Sequence, residues 1–383
     1  MLIKRIRLKN WRNFQAIDVA LHETTYVLGP NASGKSNFLD VFRFLRDVSK
    51  AKGGGLQTAV ADRGGMSKLR CLHARRDPEV LIEVEVAQSP DEAPAWRYVL
   101  AFKPEGKGAQ RTLVSKEEVW SHSTKLFSRP NEEDKKDPAQ LTQTYLEQIQ
   151  ANTKFRVLPS FFGESTYLHI VPQLLKFADK LGGQRLEDDP FGQGFLEHVA
   201  RTPAKTRDAR LRKIEKALTL AVPQFKELKF ENDELGHPHL KALYSHHRPN
   251  AGWQSEEHFS DGTLRLLGFL WSLLEGDSLL LLEEPEISLN DAIVKEIPLI
   301  MKRIQQGRKT KRQIVVSTHS AALLSNEGID GRSVVLLEPG SEGTKARTIN
   351  EQERMALEAG LSIAEVILPK AKPTGVEQLG LSL

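Results

Sequence analysis

The sequence of 383 residues contains a single cysteine, Cys71. One cysteine cannot form an internal disulfide bond, and it cannot supply the sulfur ligands of a zinc or iron–sulfur site. Long apolar runs are also missing, because no stretch reaches the roughly 18 apolar residues of a membrane-spanning helix, and the N-terminal residues MLIKRIRLKN lack the apolar segment of a signal peptide. These absences exclude a disulfide-linked scaffold, and they predict a cytoplasmic protein without membrane contact.

Charge of one sign is not in large excess, because 54 Lys and Arg residues face 50 Asp and Glu residues and give a net charge of +4. Contact with nucleic acid would therefore depend on local basic patches rather than on the field of the whole molecule. Two short basic runs are candidates, namely Lys4, Arg5, Arg7 and Lys9, and Arg308, Lys309, Lys311 and Arg312. Such runs suit DNA phosphates, but solvated surface explains them equally well, and the sequence leaves both alternatives open.

A turn-rich segment, LGPNASGKSNFLD, lies between an apolar run and a helical pattern. Residues 24–28 predict a buried strand, and the apolar residues from Phe38 to Leu45 recur at helical spacing. Residues 29–36 match the pattern G-x-x-x-x-G-K-[ST], whose backbone N–H groups cradle phosphates while the lysine reaches the β- and γ-phosphates and the hydroxyl ligates Mg²⁺. The segment predicts a site for ATP and Mg²⁺ formed by Gly29, Pro30, Asn31, Ala32, Ser33, Gly34, Lys35, Ser36 and Asn37.

A second motif, SLLLLEEPEISLN, ends a run of leucines with Glu283 and Glu284. The run predicts a buried parallel strand that delivers two carboxylates at its C-terminal end. Acids at a helix N-terminus ahead of Pro285 would be an alternative, but a phosphate loop in the same chain favours a Walker B strand. In that interpretation the first acid holds the Mg²⁺ shell and the second polarises the attacking water.

Two further segments gain meaning from their order in the chain. In EEHFSDGTLRLLGFLWSLL, residues 260–263 precede a helix with a leucine face, and alone they would be an N-cap. In RQIVVSTHSAALL a short β-branched strand ends at His319, which alone would be a structural histidine. Together the chain has a phosphate loop, a Ser-x-Gly helix, an acidic strand and a strand that ends in histidine.

In this order the motifs resemble an ABC-type ATPase head. The opening LIKRIRLKNWRNFQAIDVAL is similar to the first strands of RecF, SMC and OLD-type heads, and EEPEISLN with STHS most resembles the OLD-like ATPases of phage-defence operons. The similarity covers residues 1–50 and 256–340. It implies an α/β fold, an ABC/SMC-like P-loop ATPase head with a mixed central sheet, an antiparallel β subdomain and an inserted helical subdomain. It also implies hydrolysis by a dimer that encloses two ATP molecules.

The resemblance assigns roles residue by residue. Lys35 and Ser36 would bind phosphate and Mg²⁺, and Glu283 would occupy the usual aspartate position at the metal. Glu284 would be the catalytic base, and His319 would contact the γ-phosphate.

It also assigns residues away from the phosphate loop. Ser260 and Gly262 would bind the γ-phosphate held by the partner protomer, and Arg12 would contact the nucleotide. Gln173 is the candidate metal ligand of the Q-loop. The signature reads F-S-D-G-T rather than L-S-G-G-Q, so Asp261 brings a negative charge near the triphosphate and its role is open.

The resemblance suggests a division of the chain. We expect an N-terminal ATPase lobe at residues 1–78, an antiparallel β subdomain at 79–130, a mainly helical insertion at 131–255, a C-terminal ATPase lobe at 256–345 and a tail at 346–383. No heptad pattern continues over the three or more repeats of a coiled coil, which argues against an SMC-type or repair-type arm protein.

The sequence therefore predicts an ATPase that dimerises around two MgATP and uses the nucleotide state to control DNA engagement or a partner effector in anti-phage defence. The alternatives are a RecF-like DNA repair ATPase and a nucleotide-gated scaffold that holds and releases a partner protein without acting on DNA. A transporter ATPase is disfavoured because the L-S-G-G-Q signature is missing. Too few residues follow His319 for the nuclease domain of an OLD nuclease, so we expect any effector, such as a nuclease from a neighbouring gene, to act in trans.

Overall fold

The structure of the protein is a computed structural model, and it describes residues 1–50, 52–106, 110–177, 189–245, 252–308 and 310–371. Its strands, in chain order, are β1 (Leu2–Trp11), β2 (Phe14–Ala20), β3 (Thr24–Leu28), β4 (Val80–Ala87), β5 (Trp96–Pro104), β6 (Thr112–Ser121), β7 (Thr124–Arg129), β8 (Thr166–Leu168), β9 (Phe225–Asn232), β10 (Pro238–Tyr244), β11 (Gln254–Ser255), β12 (Leu280–Glu283), β13 (Ile314–Ser317), β14 (Val334–Gly340) and β15 (Gly343–Thr348). Its helices are α1 (Lys35–Ser49), α2 (Leu56–Ala61), α3 (Met66–Leu69), α4 (Glu132–Lys136), α5 (Val157–Gly163), α6 (Pro172–Lys176), α7 (Phe195–Arg201), α8 (Ala204–Ala221), α9 (Asp261–Leu274), α10 (Asp291–Gln306), α11 (Ala321–Leu324), α12 (Glu351–Glu358), α13 (Ile363–Val366) and α14 (Leu368–Ala371). Among the described helices, none has the length and apolar character that crossing a bilayer requires.

Most of these strands belong to two six-stranded sheets. The first is antiparallel and has the order β2-β1-β4-β5-β6-β7, and the second has the order β15-β14-β3-β13-β12-β8. The second sheet is parallel except for β15, which is antiparallel to β14. This is the mixed α/β architecture that the sequence predicts.

The antiparallel sheet is larger than the sequence predicts. The alternating segments after residue 79 form β4, β5 and β6, but β1 pairs with β4 along most of its length and brings β2 with it. Alternate side chains of β1, among them Ile6 and Leu8, pack into the core, which suits an antiparallel sheet with one buried face. The boundary expected between residues 78 and 79 therefore runs through a single sheet.

The central strands of the parallel sheet are buried on both faces, and this explains their continuous apolar runs. In β12, Leu280 and Leu282 pack into one core and Leu281 into the other, and in β13 Ile314 and Val315 alternate in the same way. Side chains alternate with a period of two, so such a strand needs an apolar partner on each side. Because β13 pairs in parallel with both β3 and β12, the carboxyl ends of these three strands lie side by side.

Helix α1 fills the space between the two large sheets. Its side chains Phe38, Phe42 and Phe44 belong to a core that includes residues of both sheets, and Phe44 stacks on Phe102 of β5 with ring centroids 5.3 Å apart. Helices α9 and α10 contribute to the core on the other face of the parallel sheet. The turn between β3 and α1 is therefore anchored at the edge where the three strand ends meet.

The middle of the chain is only partly helical. Residues 131–255 contain α4 to α8, but they also contain β8, which pairs with β12 at the edge of the parallel sheet, and β9 to β11, which form a small antiparallel sheet. The longest described helix is α8, with 18 residues, so the described part of the chain has no long coiled coil, as predicted. Residues 372–383, the end of the expected tail, lie outside the described residues.

Candidate active site

The turn between β3 and α1 has the geometry of a phosphate-binding loop. Gly34, the last residue before α1, adopts a φ of 97°, a left-handed conformation that favours glycine. A Cβ atom at Gly34 would lie 2.2 Å from the side-chain nitrogen of Asn13, so the position also lacks space for a side chain. The described first turn of α1 carries no acidic residue, which leaves its N–H groups suited to an anion.

Lys35 lies almost buried under this loop, with 7% of its surface exposed. Its Nζ donates to the carbonyl oxygens of Gly29 at 3.0 Å and Pro30 at 3.3 Å. Burial lowers the pKa of Lys35, and the negative charges of Glu284 and Glu283 oppose that effect. The ammonium group is thus held by neutral carbonyls that phosphate oxygens can replace.

Asn13 fastens the phosphate loop from outside. Its Nδ2 donates to the carbonyl oxygen of Ser33 and to Oγ1 of Thr344, each at 2.8 Å. Its Oδ1 accepts a hydrogen bond from Nδ2 of Asn37 at 2.8 Å. No sequence pattern indicates Asn13 as a site residue, although it directly follows Arg12, which is one of the predicted site residues.

The first acid of β12 is held by two hydroxyl groups. Ser36 Oγ donates to Oε1 of Glu283, and Tyr167 Oη donates to Oε2. Nδ1 of His169 lies 3.2 Å from the carbonyl oxygen of Glu283. The structure therefore brings the two predicted metal ligands, Ser36 and Glu283, into contact, and it adds Tyr167 and His169 of the β8 segment.

Ser36 and Glu283 fit a Mg²⁺ ion that is shared with a nucleotide. Hydroxyl and carboxylate oxygens are the hard ligands that Mg²⁺ prefers, and the ion usually takes one or two protein oxygens together with substrate phosphates and water. Within the described ranges, no group of three or more His, Cys, Asp or Glu side chains could hold a metal ion. When bound, Mg²⁺ would neutralise phosphate charge beside these two residues.

Glu284 follows β12 in a strained backbone conformation. Its φ is 44°, in a region that residues other than glycine seldom adopt. The backbone N–H of Glu284 donates a hydrogen bond to the carbonyl oxygen of Ser317 at 3.0 Å, which holds this conformation. Oε1 of Glu284 lies 2.8 Å from Nδ1 of His319. The Glu284 and His319 side chains are 22% and 53% exposed, so both can meet a substrate at the open edge of the sheet.

A third acid, Glu286, lies behind this pair and was not predicted. It is 7% exposed, and its Oε1 accepts a hydrogen bond from Oγ1 of Thr318 at 2.5 Å. In the described structure its Oε2 is buried without a hydrogen-bond partner. Burial raises the pKa of Glu286 above the usual carboxyl range.

The signature residues lie at the N-terminus of α9. Oγ of Ser260 accepts a hydrogen bond from the backbone N–H of Thr263 at 3.1 Å, as an N-cap does. A Cβ atom at Gly262 would lie 2.7 Å from the carbonyl oxygen of Ser288. The signature end of α9 is therefore packed directly on the turn that follows the two Walker B acids.

Asp261, the unusual acid of the signature, is paired with two side chains, and one of them is Gln173, which was predicted as a metal ligand. Oδ1 of Asp261 pairs with Nζ of Lys176 at 2.7 Å, and its Oδ2 accepts a hydrogen bond from Nε2 of Gln173 at 2.8 Å. The amide of Gln173 is thus engaged at the signature, and the structure does not bring it into contact with Ser36 or with the Walker B acids. This corrects its expected place at the metal, because α6 turns the side chain toward α9 instead.

Arg12 lies beside α1 rather than in the phosphate loop. Its Nη2 donates to Oδ2 of Asp40 at 2.8 Å, and its backbone adopts a φ of 51°. It lines a cavity of about 500 Å³ together with Asp40, Arg43 and Arg63. Its role as a nucleotide contact stays a prediction, and its guanidinium group forms an ion pair with the Asp40 carboxylate.

The second basic run is used largely inside the protein. Arg312 is 2% exposed and donates to three backbone carbonyl groups, and Arg308 donates to two more. Lys311 is in an exposed ion pair with Glu23 at 3.1 Å, and Lys309 lies outside the described residues. Solvated surface is therefore the wrong interpretation for Arg308 and Arg312, and their charges are not free for DNA.

The first basic run is paired on the sheet surface. Arg5 and Arg7 lie 2.6 and 3.1 Å from the carboxylate of Asp18, and Lys9 lies 2.8 Å from Asp77. These are exposed cross-strand and neighbouring pairs, which contribute little to stability. They leave less uncompensated positive charge on β1 than the sequence alone indicates.

The phosphate loop after β3, the paired acids after β12 and the histidine after β13 meet at one edge of the parallel sheet. This fold and this arrangement define the class, which is the ABC/SMC-like P-loop ATPase head. The chain belongs to the family described as "AAA domain, putative AbiEii toxin, Type IV TA system", which matches residues 25–325. No curated protein matches the chain.

The fold is similar to the heads of SMC proteins. The crystal structure of an SMC head bound to the C-winged helix domain of ScpA covers 93% of this chain and 100% of its own, with 14% identity and a TM-score of 0.58. A second SMC head structure has an extended coiled coil and is bound to the C-terminal domain of ScpA derived from Pyrococcus furiosus. The match covers 93% of this chain and 98% of that chain, with 13% identity and a TM-score of 0.50. At such identities the likeness shows the fold alone, and it confirms the predicted fold of an SMC-like head.

Proposed function

We propose that the protein hydrolyses ATP to ADP and phosphate as a dimer that encloses two MgATP, and that its nucleotide state controls a partner effector. The observation that carries the proposal is the meeting of Lys35, the Ser36–Glu283 pair and the Glu284–His319 pair at adjacent strand ends. Each group has a role in phosphoryl transfer to water. Lys35 binds phosphate, Ser36 and Glu283 hold Mg²⁺, and Glu284 orients and deprotonates water while His319 contacts the γ-phosphate.

The signature end of α9 supports dimerisation. Ser260, Gly262 and the N-terminus of α9 offer donors suited to phosphate, yet they belong to a different helix from the phosphate loop. Asp261 would repel phosphate, but Lys176 neutralises it. We therefore assign this surface to the nucleotide bound by the partner protomer.

A partner protein is favoured over DNA as the controlled component. Most described members of the basic runs that could meet DNA are engaged in buried hydrogen bonds or in surface ion pairs. Both SMC heads of similar fold are described with a bound domain of ScpA, which is a precedent for a head that binds a protein partner. The family description, with its toxin and toxin–antitoxin terms, supports a role in cellular defence.

The purified chain provides the test. We expect Mg²⁺-dependent ATP hydrolysis, an ATP-dependent rise in mass from monomer to dimer by light scattering, and a rate that duplex DNA does not change. We also expect no cutting of DNA with Mg²⁺ or Mn²⁺. A rate that rises with DNA and falls with salt would favour the RecF-like alternative, and absence of hydrolysis by the wild-type protein would reject the ATPase proposal itself.

A further inference from the structure

The turns that follow β12 and β13 are joined by two side-chain contacts rather than one. The first is the contact of 2.8 Å between Oε1 of Glu284 and Nδ1 of His319. The second is the hydrogen bond of 2.5 Å from Oγ1 of Thr318 to Oε1 of Glu286. Glu284 and Glu286 are two residues apart on the turn after β12, and Thr318 and His319 are adjacent on the turn after β13. The two contacts and the backbone between these residues therefore close a ring.

The two contacts differ in their exposure to water. His319 is about half exposed at its side chain, with 53% accessible, so water competes for the outer contact. Thr318 is 0% exposed and Glu286 is 7% exposed, so the inner contact lies where a hydrogen bond is stronger and more directional. The inner contact is therefore better protected from water than the outer one, and it reinforces the backbone hydrogen bond from Glu284 to Ser317 that also joins the two turns.

Thr318 also connects the ring to the nucleotide site. Its backbone N–H donates to the carbonyl oxygen of Val27 at 3.2 Å, at the end of the strand that leads into the phosphate loop. Its Oγ1 accepts the N–H of Ser320 at 3.1 Å, and Oγ of Ser320 in turn caps α11. The residue before the histidine is thus fixed to the phosphate-loop strand, to the acidic turn and to the following helix.

An apolar side chain would fill the place of Glu286 at lower cost. A buried carboxyl group with an oxygen that lacks a partner is unfavourable, and Glu286 Oε2 is such an atom in the described structure. Its Oε1 accepts the hydrogen bond from Thr318. We propose that Glu286 is a positioning residue for ATP hydrolysis, which fixes His319 against Glu284 through its hydrogen bond to Thr318.

The proposal rests on the ATPase function proposed above, and it predicts a particular pattern among four variants. Glu286→Ala and Thr318→Val remove the hydrogen bond, and because small displacements of reacting groups are costly, each should lower kcat by about 10- to 100-fold. Glu286→Gln keeps the acceptor oxygen and Thr318→Ser keeps the hydroxyl donor, so each should stay within about threefold of wild type. KM and the Kd of a fluorescent ATP analogue should change by less than about twofold in all four, since neither residue binds the nucleotide.

The double variant separates positioning from general damage. If the two residues act only through their mutual hydrogen bond, Glu286→Ala combined with Thr318→Val should lose no more activity than the worse single variant. Wild-type kcat in Glu286→Ala, additive losses in the double variant, or a loss in Glu286→Gln as large as in Glu286→Ala would each overturn the proposal. A fall in kcat that follows an equal loss of ATP binding would overturn it as well.

A second measurement decides the geometry without turnover. Hydrogen–deuterium exchange of peptides within residues 314–324 should be faster in nucleotide-free Glu286→Ala and Thr318→Val than in wild type, and unchanged in Glu286→Gln. If wild-type protein hydrolyses no ATP, the function proposed above fails while this exchange pattern still reports whether Glu286 holds Thr318. If wild type is active and the exchange is unchanged in Glu286→Ala, the positioning role is refuted and the ATPase function stands.

Discussion

Replacement of Glu284 by glutamine tests whether this carboxylate is the general base of ATP hydrolysis. The carboxylate ends a rigid, buried strand, and its backbone is held in a left-handed conformation by the hydrogen bond to Ser317. Gln has the same length and can still contact His319, so the fold and the ring of contacts should survive. It cannot accept a proton from water, so the substitution removes the catalytic base together with one negative charge.

The expected loss follows from that single change. General base catalysis contributes a factor of about 100 to 10,000, so Glu284→Gln should lower kcat by at least about 100-fold, which equals about 2.7 kcal/mol at the transition state. ATP binding should be unchanged or tighter, because the substitution removes a negative charge near Lys35 and the phosphates. KM should therefore not rise.

The assay compares turnover with assembly. In Glu284→Gln, ATP that binds only the closed dimer is not consumed, and it should shift the population toward the dimer in light scattering with MgATP. Glu296→Gln, at an exposed glutamate of α10, is the matched control and should behave as wild type. Wild-type turnover in Glu284→Gln, or a mass that does not respond to MgATP, would refute the assignment of base and dimer.

Three further predictions concern the phosphate loop, the signature and the second basic run. Lys35→Ala should abolish both ATP binding and the ATP-dependent dimer, as measured by the fluorescent analogue and by light scattering. Lys176→Met should weaken that dimer because the negative charge of Asp261 then has no cation beside the partner's phosphate, and Asp261→Asn in the same chain should restore it; no restoration would mean that Lys176 acts otherwise. Arg312→Ala should lower the free energy of unfolding in urea by about 3 kcal/mol, because it leaves buried carbonyl groups unpaired, whereas the exposed Lys311→Ala should cost less than about 0.5 kcal/mol.

Elements whose signal is local were predictable from the sequence. The strand at residues 24–28 is bounded as predicted, because its β-branched and apolar residues meet a glycine-rich turn and need no distant information. The acidic strand β12 and the strand β13 before His319 are likewise short apolar runs that local composition indicates. The contact between Ser36 and Glu283 was also within reach, since both were assigned to one metal ion from two separate motifs.

Contacts that join distant and irregular segments were not predictable. The segment YLHIVPQLL contains a three-residue strand and a five-residue helix, and such short elements have no periodicity that shows which side chain turns inward. The sequence therefore gives no signal that Tyr167 contacts Glu283, and residue type alone indicates Gln173 as the Q-loop glutamine. Burial of Arg312 is also not predictable, because charged side chains are seldom buried and its carbonyl partners lie at the C-terminal end of α9 and in the residues after it.

Glu286 and Thr318 lie in motifs that the sequence indicates, but their contact with each other is not predictable. Each stands next to a residue that the sequence assigned, in EEPE and in STHS, but adjacency does not show which of several polar side chains face each other. The parallel pairing of β12 with β13, which places Glu283 beside Ser317, is what brings the following turns together. A prediction of parallel register would have been needed to find the pair.

The β8–α6 segment and the close packing of α9 connect the acidic turn after β12 with the signature end of α9. Tyr167 at one end of the segment donates a hydrogen bond to Glu283, and Lys176 at the other end pairs with Asp261 at the signature. Gly262 lies against the turn after the Walker B acids with no space for a side chain. In the proposed dimer the first group serves the protomer's own ATP and the second serves the partner's ATP. Because a two-fold axis would repeat both contacts in that dimer, we expect a shift of α9 on binding one γ-phosphate to move the acidic turn at the other, and a wild-type protein whose two sites bind ATP with equal and independent affinity would contradict this expectation.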